Sequence, residues 1–177
     1  ILTRFTINPQ HCLMIGDNYE KDILGARKCN IHTLQFINSG NIFNQEQKQF
    51  NSWQTLYNVF KTIFQESKQL EYISKQIGQR GDLTQAGGGN ISVKLDNVLP
   101  DVILIKSSGY HLANVSSQDI NSMCLLNYHE LNTSIPSTSS PSLDSMVMFG
   151  NNGKKPSIET YMHCLLKKWV IHIHPVF

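Results

Sequence analysis

Residues 156–175 constrain the fold more than any other part of the chain. The first half of this stretch is typical of a helix, with Ser157 placed to cap it behind a proline and two lysines near its end. The second half alternates, so that His172 and His174 share one face of a strand while isoleucines occupy the other. The sequence therefore predicts a helix followed by a strand that presents two imidazoles side by side.

The predicted helix carries two polar residues on one face and an apolar stripe elsewhere. Glu159 and His163 lie four residues apart, which places them on the same face. Apolar side chains at helical spacing form the stripe, which comprises Met162, Leu165, Leu166 and Trp169. The spacing of this stripe predicts a helix that reaches as far as Trp169.

The two histidines form a candidate metal site. Two imidazoles that are two residues apart on a strand can bind one metal ion, and this is a common way to build half of a zinc site. The carboxylate of Glu159, from the preceding helix, could lie over the metal as a base. A strand that simply exposes two polar residues to solvent is the alternative, and the H-x-H pattern alone does not separate the two interpretations.

Two upstream blocks carry groups that suit phosphate binding. The glycine-rich turn that precedes a strand near residue 91 contains Gly89 and Asn90, and consecutive glycines allow backbone amides to approach a ligand closely. The predicted strand 102–106 ends in a turn that offers the Ser108 hydroxyl and the Gly109 amide. Taken alone, the glycine cluster favours the alternative interpretation, a flexible turn between a helix and a strand.

Each of these two predicted strands ends in a lysine, Lys94 in the first and Lys106 in the second. Either ammonium group could supply a positive charge to a phosphate. A strand lysine with its ammonium group in solvent is the commoner arrangement. We therefore interpret both as solvated lysines without a functional role.

Together, GGGNISVK, ILIKSSG and the helix–strand stretch resemble the class II aldolase/adducin family over about residues 66–177. The resemblance implies an α/β/α domain with a largely antiparallel central sheet. It also implies a zinc ion held by three histidines, two of which are His172 and His174. The third would lie beyond Phe177, and we interpret the chain, which starts at Ile1, as a fragment of a longer protein.

The same resemblance assigns roles to further residues. Glu159 matches the acidic residue of the family, which carries a proton during catalysis. Residues matching positions that bind the substrate phosphate are Gly89, Asn90, Ser108, Gly109 and Ser157. Ile158 stands where some members carry a second serine, and this departure weakens the match at the phosphate site.

The first part of the chain carries a different pattern. A short apolar run at 12–15 ends in Gly16-Asp17, a helix is predicted from about Glu20, and a second strand is predicted at 31–36. Strand, helix and strand in this order form one unit of a doubly wound, Rossmann-like parallel sheet, in which ligands bind at the carboxyl ends of the strands.

The segment GDNYEKDILGA resembles the fourth motif of haloacid-dehalogenase-like (HAD) hydrolases, which implies that Asp17 and Asp22 help to hold a magnesium ion. The alternative is a helix N-terminus with acidic residues near its dipole. The earlier motifs of that family, including its nucleophilic aspartate, are not visible in the sequence. We therefore expect residues 1–64 to be the C-terminal part of a HAD-like domain with a connecting helix, and 66–177 to be the aldolase-like domain. Apolar residues at helical spacing predict two helices between residues 53 and 77, separated near residues 65–67.

The implied function is that of a zinc-dependent carbon–carbon lyase, an aldolase that cleaves a sugar phosphate of the ketose 1-phosphate class, joined to a HAD-type phosphatase. The alternatives are an epimerase or decarboxylase of the same fold, a HAD phosphatase with an aldolase-like appendage, and a non-enzymatic adducin-like module. The resemblance also implies a homotetramer. The net charge of +2 does not point to nucleic acid or membranes as partners, and four scattered cysteines are typical of reduced thiols in a cytoplasmic protein.

Overall fold

The computed structural model describes residues 6–37, 43–44, 49–119, 121–129, 131, 142–149 and 155–175. The chain divides into a first unit, Ile1–Phe60, and a second unit, Lys61–Phe177, each with its own β-sheet. None of the helices in the described ranges combines the length and the apolar character needed to cross a membrane.

The sheet of the first unit is mainly parallel. Its four strands are β1 (Leu13–Gly16), β2 (His32–Phe36), β3 (Phe43–Asn44) and β4 (Gln49–Phe50), in the order β1-β2-β4-β3. β1, β2 and β4 are parallel neighbours, and β3 pairs antiparallel to β4. The strand–helix–strand prediction is therefore confirmed.

The connection between β1 and β2 is helical. A π-helical segment, Tyr19–Leu24, continues directly as the α-helix Gly25–Lys28, and a 3-10 turn, Pro9–His11, precedes β1. Ile23 and Ala26 are buried beside the sheet strands that this connection joins, as the apolar pattern predicts.

One continuous helix, Trp53–Gly78, replaces the two helices that the sequence predicts. The predicted break at residues 65–67 contains neither glycine nor proline, so nothing there interrupts the backbone hydrogen bonds. The Ser67 hydroxyl donates a hydrogen bond to the Phe64 carbonyl of the same helix at 2.9 Å, so this polar group has a partner without breaking the helix. The expected domain boundary at this point stays a prediction.

The sheet of the second unit is antiparallel throughout, as predicted. Its five strands are β5 (Asn90–Lys94), β6 (Val102–Lys106), β7 (Met123–Asn127), β8 (Val147–Phe149) and β9 (Trp169–His172), in the order β8-β7-β6-β5-β9. Among the described residues, this unit also contains the short helices Leu112–Asn114, which is a 3-10 turn, Leu143–Met146 and Thr160–Leu165.

The central strands of this sheet are buried on both faces. Every residue of β6 is buried, and β5 and β7 are buried except at their last residues. β6 and β7 are accordingly almost continuous apolar runs, whereas β5 alternates and buries the polar residues Asn90 and Ser92. The core around them includes Ile103, Ile105, Cys124 and Leu126.

The helix before β9 is shorter than predicted, and its apolar stripe is exposed. The helix ends at Leu165, and Trp169 belongs to β9. The exposed fractions of Met162, Leu165 and Leu166 are 42%, 75% and 48%. The opposite face, with Thr160, His163 and Cys164, is buried instead.

The Lys94 ammonium explains why this helix ends where it does. It donates to the carbonyls of Cys164 and Leu166, at 2.6 and 2.7 Å, and so satisfies groups that a longer helix would bond internally. Leu166 is extended, and the chain then runs into β9 beside β5. Lys94 is therefore half-buried and bound at the helix end, so the interpretation of it as a solvated lysine holds only in part.

The Glu71 carboxylate ties the long helix to a loop. It accepts hydrogen bonds from the Ser117 amide at 2.8 Å and the Ser117 hydroxyl at 2.7 Å, and it pairs with Lys75 one helical turn away. The hydrogen bonds from Lys75 and Ser117 lower the pKa of Glu71 to about 2, against an ordinary value of 4.5. The folded state therefore binds this proton more weakly than the unfolded chain does.

Replacing Glu71 with Gln is expected to lower the free energy of unfolding of the second unit by about 2 kcal/mol at pH 7, since charged hydrogen bonds are lost. In the unchanged protein this contribution is present above pH 4.5 and is lost as the pH falls towards 2. Hydrogen exchange of the β6 amides measures both effects. The control is Asp82→Asn, which removes a solvent-exposed pair with Arg80 and should change little. Equal effects of the two variants would contradict this account.

Candidate active site

Two neighbouring strands bring the predicted histidines to the glycine-rich turn. β9 pairs antiparallel with β5, and His172 lies directly opposite Asn90. His174 follows two residues later, and its amide donates to the Leu83 carbonyl at 3.2 Å. The Nε2 atoms of His172 and His174 are 3.2 Å apart. The alternation in the sequence thus places the two imidazoles together.

Glu159 lies between these histidines and two polar donors. Its Oε1 atom is 3.1 Å from His172 Nδ1 and 4.0 Å from His174 Nε2. Its Oε2 atom accepts hydrogen bonds from the Asn90 amide at 3.2 Å and the Ser157 hydroxyl at 3.3 Å. One carboxylate oxygen therefore faces the imidazoles while the other is fixed by donors from β5 and from the start of the helical segment.

The donor set fits a divalent metal ion. Glu159, His172 and His174 each offer a ligand atom, and these atoms all lie within 4.8 Å of one another. Two ligand atoms of a tetrahedral site with metal–nitrogen distances of about 2.0–2.1 Å are roughly 3.3 Å apart, close to the separation of the two Nε2 atoms. His172 Nδ1 is buried without a hydrogen-bond partner in the described structure, although it forms an ion-pair contact with Glu159. Because Nδ1 faces the Glu159 carboxylate, the Nε2 atom of the same ring is left to bind a metal ion, as in metal-binding imidazoles whose other nitrogen contacts a carboxylate.

The glycines before β5 allow the chain at His172 and His174 to lie close to the glycine-rich turn. Gly89 has a positive φ of 83°, and a Cβ atom there would lie 2.8 Å from Leu112 Cδ1 and 3.1 Å from the His172 carbonyl. A Cβ atom on Gly88 would lie 2.9 Å from the Gln85 carbonyl and 3.7 Å from His174 Nδ1. Backbone conformation and close packing both require glycine here, whatever the turn binds.

Ser108 and Gly109, which are predicted to bind phosphate, follow a residue that pairs with the chain just before Ser157. Ser107 pairs with Pro156 in an isolated antiparallel bridge, and the Ser108 amide donates to the Lys155 carbonyl at 2.8 Å. The turn with Ser108 and Gly109 is exposed and runs beside the chain that leads to Ser157.

The Asn90 side chain is already engaged in the structure. Its amide nitrogen donates to Glu159, and its oxygen accepts from the Ile91 amide at 2.9 Å. Asn90 and Ser157 thus contact the Glu159 carboxylate directly. Binding of phosphate by Gly89, Asn90, Ser108, Gly109 and Ser157 stays a prediction.

Lys106 is buried, which contradicts the interpretation that it is solvated. Only 2% of the residue is exposed, and its ammonium donates to the carbonyls of Tyr110 at 2.8 Å and Ser107 at 3.2 Å. Burial lowers the pKa of Lys106 from its ordinary value, and the negative charge of Glu159 opposes this shift. The sequence could not reveal this arrangement, because a lysine at a strand end is solvated in most proteins.

His163 is a further buried polar residue beside the site. It is fully buried, and its Nδ1 atom is 2.8 Å from the Ser92 hydroxyl. Burial lowers the pKa of His163 to about 4, which the Glu159 carboxylate partly opposes and His172 reinforces. The imidazole is therefore neutral at pH 7. Its Nε2 atom has no hydrogen-bond partner within the described ranges.

The two predicted magnesium ligands, Asp17 and Asp22, belong to the first unit. The Asp22 carboxylate accepts a hydrogen bond from the Asn18 amide at 3.1 Å and packs against Gly16, where a Cβ atom would lie 2.4 Å from Oδ2. Asp17 is exposed. Over the described part of the chain, the cluster with Glu159 is the one group of three suitable side chains, so magnesium at Asp17 and Asp22 stays a prediction.

Comparison with protein families agrees with the division of the chain into two units. The second unit is an α/β domain with an antiparallel sheet and a candidate metal site of two histidines and a carboxylate. This combination defines its class of protein. Residues 68–177 match the class II aldolase and adducin N-terminal domain, and the chain belongs to that family. Residues 1–57 match a HAD-hydrolase-like family. Both predicted resemblances are confirmed.

Solved structures of related domains are similar over part of their length. The N-terminal class II aldolase domain of a conserved protein from Thermoplasma acidophilum is 25% identical, with a TM-score of 0.47, and the match covers 60% of this chain and 53% of that one. A sugar-phosphate aldolase from Thermotoga maritima is 23% identical, with a TM-score of 0.43, and the match covers 67% and 55%. The chain thus spans about half the length of these proteins. A search of curated proteins returned no match.

Replacing Gly89 with Ala is expected to lower the free energy of unfolding of the second unit by about 1–3 kcal/mol, because an L-residue is strained at this φ and its Cβ atom meets Leu112. The matched control is Gly87→Ala, where an added Cβ atom meets nothing within 4 Å, and a change below about 1 kcal/mol is expected. Urea unfolding compares the two variants. An alanine at position 89 that is tolerated as well as one at position 87 would contradict the close approach described here.

Proposed function

We propose that the second unit is the zinc-dependent catalytic domain of an aldolase-type carbon–carbon lyase that acts on a ketose 1-phosphate. The observation that carries this proposal is the position of the Glu159 carboxylate, 3.1 Å from His172 Nδ1 and 4.0 Å from His174 Nε2. Membership of the class II aldolase and adducin family supports the same reaction class.

Zinc suits the donor set because imidazole nitrogens and a carboxylate oxygen are common ligands of a catalytic zinc ion. His172 and His174 would hold the ion through Nε2, since these atoms are 3.2 Å apart and face each other. A bound zinc ion supplies Lewis-acid polarisation of a substrate carbonyl. Hydrogen bonds from Asn90 and Ser157 hold the Glu159 carboxylate beside both imidazoles.

Glu159 is the residue placed to move the proton that cleavage requires. When the carbon–carbon bond breaks, its electron pair stays on the phosphate-bearing fragment, and a proton must be delivered to that carbon. The leaving fragment becomes an aldehyde as its hydroxyl loses a proton. A carboxylate with one oxygen fixed by Asn90 and Ser157 can present the other towards the reacting carbon.

The exposed turn at Ser108 and Gly109 is the proposed phosphate site. The Gly109 φ of 77° turns the backbone there, and an added Cβ atom would meet nothing within 4 Å. The Ser108 hydroxyl and the Gly109 amide can both donate to phosphate oxygens. The buried Lys106 ammonium behind the turn adds positive charge to this region. Ile158, which is 79% exposed, offers no donor of its own.

An epimerase or decarboxylase would use the same groups, so product analysis must distinguish these reactions. We expect the full chain with zinc to convert a ketose 1-phosphate into dihydroxyacetone phosphate and an aldehyde, detected by mass spectrometry. Replacing His172 with Ala should abolish both stoichiometric zinc binding and cleavage, since one of two imidazoles is lost.

The control for this experiment is His129→Ala, which removes an exposed histidine paired with Asp101 and should leave zinc binding and activity unchanged. Recovery of an epimer or of carbon dioxide instead of two fragments would reassign the reaction within the fold. Cleavage that persists in His172→Ala would refute the proposed zinc site.

A further inference from the structure

Strand β5 and the helix Thr160–Leu165 meet through two pairs of polar side chains. Asn90 and Ser92 are two residues apart on β5 and therefore lie on one face. Glu159 and His163 are four residues apart, and the His163 amide donates to the Glu159 carbonyl at 3.0 Å, so they lie one helical turn apart. Two polar residues on one face of the strand therefore face two polar residues on one face of the helical segment.

Both pairs are in contact. The Asn90 amide is 3.2 Å from Glu159 Oε2, and the Ser92 hydroxyl is 2.8 Å from His163 Nδ1. Asn90, Ser92 and His163 are each 0% exposed. Two buried polar contacts about one helical turn apart fix both the position and the rotation of a helix that is only six residues long.

The rest of this helix is held at other points. Thr160 and Cys164 are buried, the Lys94 ammonium binds the Cys164 and Leu166 carbonyls, and Met162 and Leu165 are exposed. Replacing the buried hydrogen-bonded imidazole by an apolar side chain would leave these contacts in place and remove the polar contact with Ser92 that lies one helical turn from Glu159. Glu159 at the start of the helix would then lose its alignment with His172.

We propose that His163, held by Ser92, is a positioning residue that sets the orientation of the Glu159 carboxylate against the metal-binding imidazoles. The inference rests on the proposed metal site but not on the proposed reaction. In this proposal His163 acts through Glu159. The consequence is that any effect of changing His163 on the site must pass through Glu159.

A double-mutant cycle on the full chain tests this dependence. The zinc affinities of the unchanged protein, His163→Leu, Glu159→Gln and the double variant are measured by competition with a chelator. We expect His163→Leu to weaken zinc binding about tenfold when Glu159 is present. In the Glu159→Gln background, the same change should have less than about a twofold effect. Equal weakening in both backgrounds would show a merely structural role and would overturn the proposal.

Two further variants keep the test decisive if His163→Leu does not fold. His163→Asn places an amide where Nδ1 lies, so that the Ser92 contact survives, and its zinc affinity should stay within about threefold of that of the unchanged protein. Ser92→Ala removes only a hydroxyl and should weaken zinc binding with the same dependence on Glu159 as His163→Leu. A Ser92→Ala variant with unchanged zinc affinity would also overturn the proposal.

Catalysis gives a separate readout. If the chain binds zinc and the cycle shows the expected dependence but no ketose 1-phosphate is cleaved, the proposed reaction fails and the positioning role stands. If cleavage occurs but the cycle is additive, the positioning role fails and the reaction stands. Where both hold, His163→Leu should lower kcat about tenfold with little change in KM, because the proton carrier rather than the phosphate site is displaced.

Discussion

The pairing of β9 with β5 is the interaction on which the candidate site depends. It sets His172 opposite Asn90 and carries His174 to the loop at Leu83. Asn90 in turn donates to Glu159, so a single strand pairing aligns both an imidazole and the carboxylate. The pairing itself is possible because Gly88 and Gly89 leave no side chain between the turn and the histidine strand.

Buried and half-buried polar groups then complete the surroundings of the site. Lys94 ends the helix Thr160–Leu165, Lys106 holds the turn at Ser107–Tyr110 from behind, and His163 contacts Ser92. Burying such groups is unfavourable unless they find partners, and each of these finds a carbonyl or a hydroxyl. The site is therefore supported by polar contacts that reach it from within the unit rather than from its surface.

The sequence predicted the parts of the structure that follow local periodicity. The glycine run and the strand 102–106 depend on neighbouring residues and appear as expected. The two imidazoles also lie together, but the strand ends at His172, so His174 is not part of the predicted strand. The end of the helix at Leu165 was missed because the Lys94 ammonium, 72 positions before Leu166, determines it. The burial of Lys106 and the Ser92–His163 contact were missed for the same reason, since both depend on packing between segments distant in sequence. His163 had one usable signal, its four-residue spacing from Glu159.

X-ray absorption at the zinc edge of the full chain, loaded with one equivalent of zinc, tests the central claim most directly. The account predicts a first shell of low coordination number, with zinc–nitrogen distances of about 2.0–2.1 Å and the outer scattering of two imidazoles from His172 and His174. Replacing both histidines should remove the imidazole scattering. Zinc bound only by oxygen atoms, or a spectrum unchanged by those replacements, would contradict the site described here.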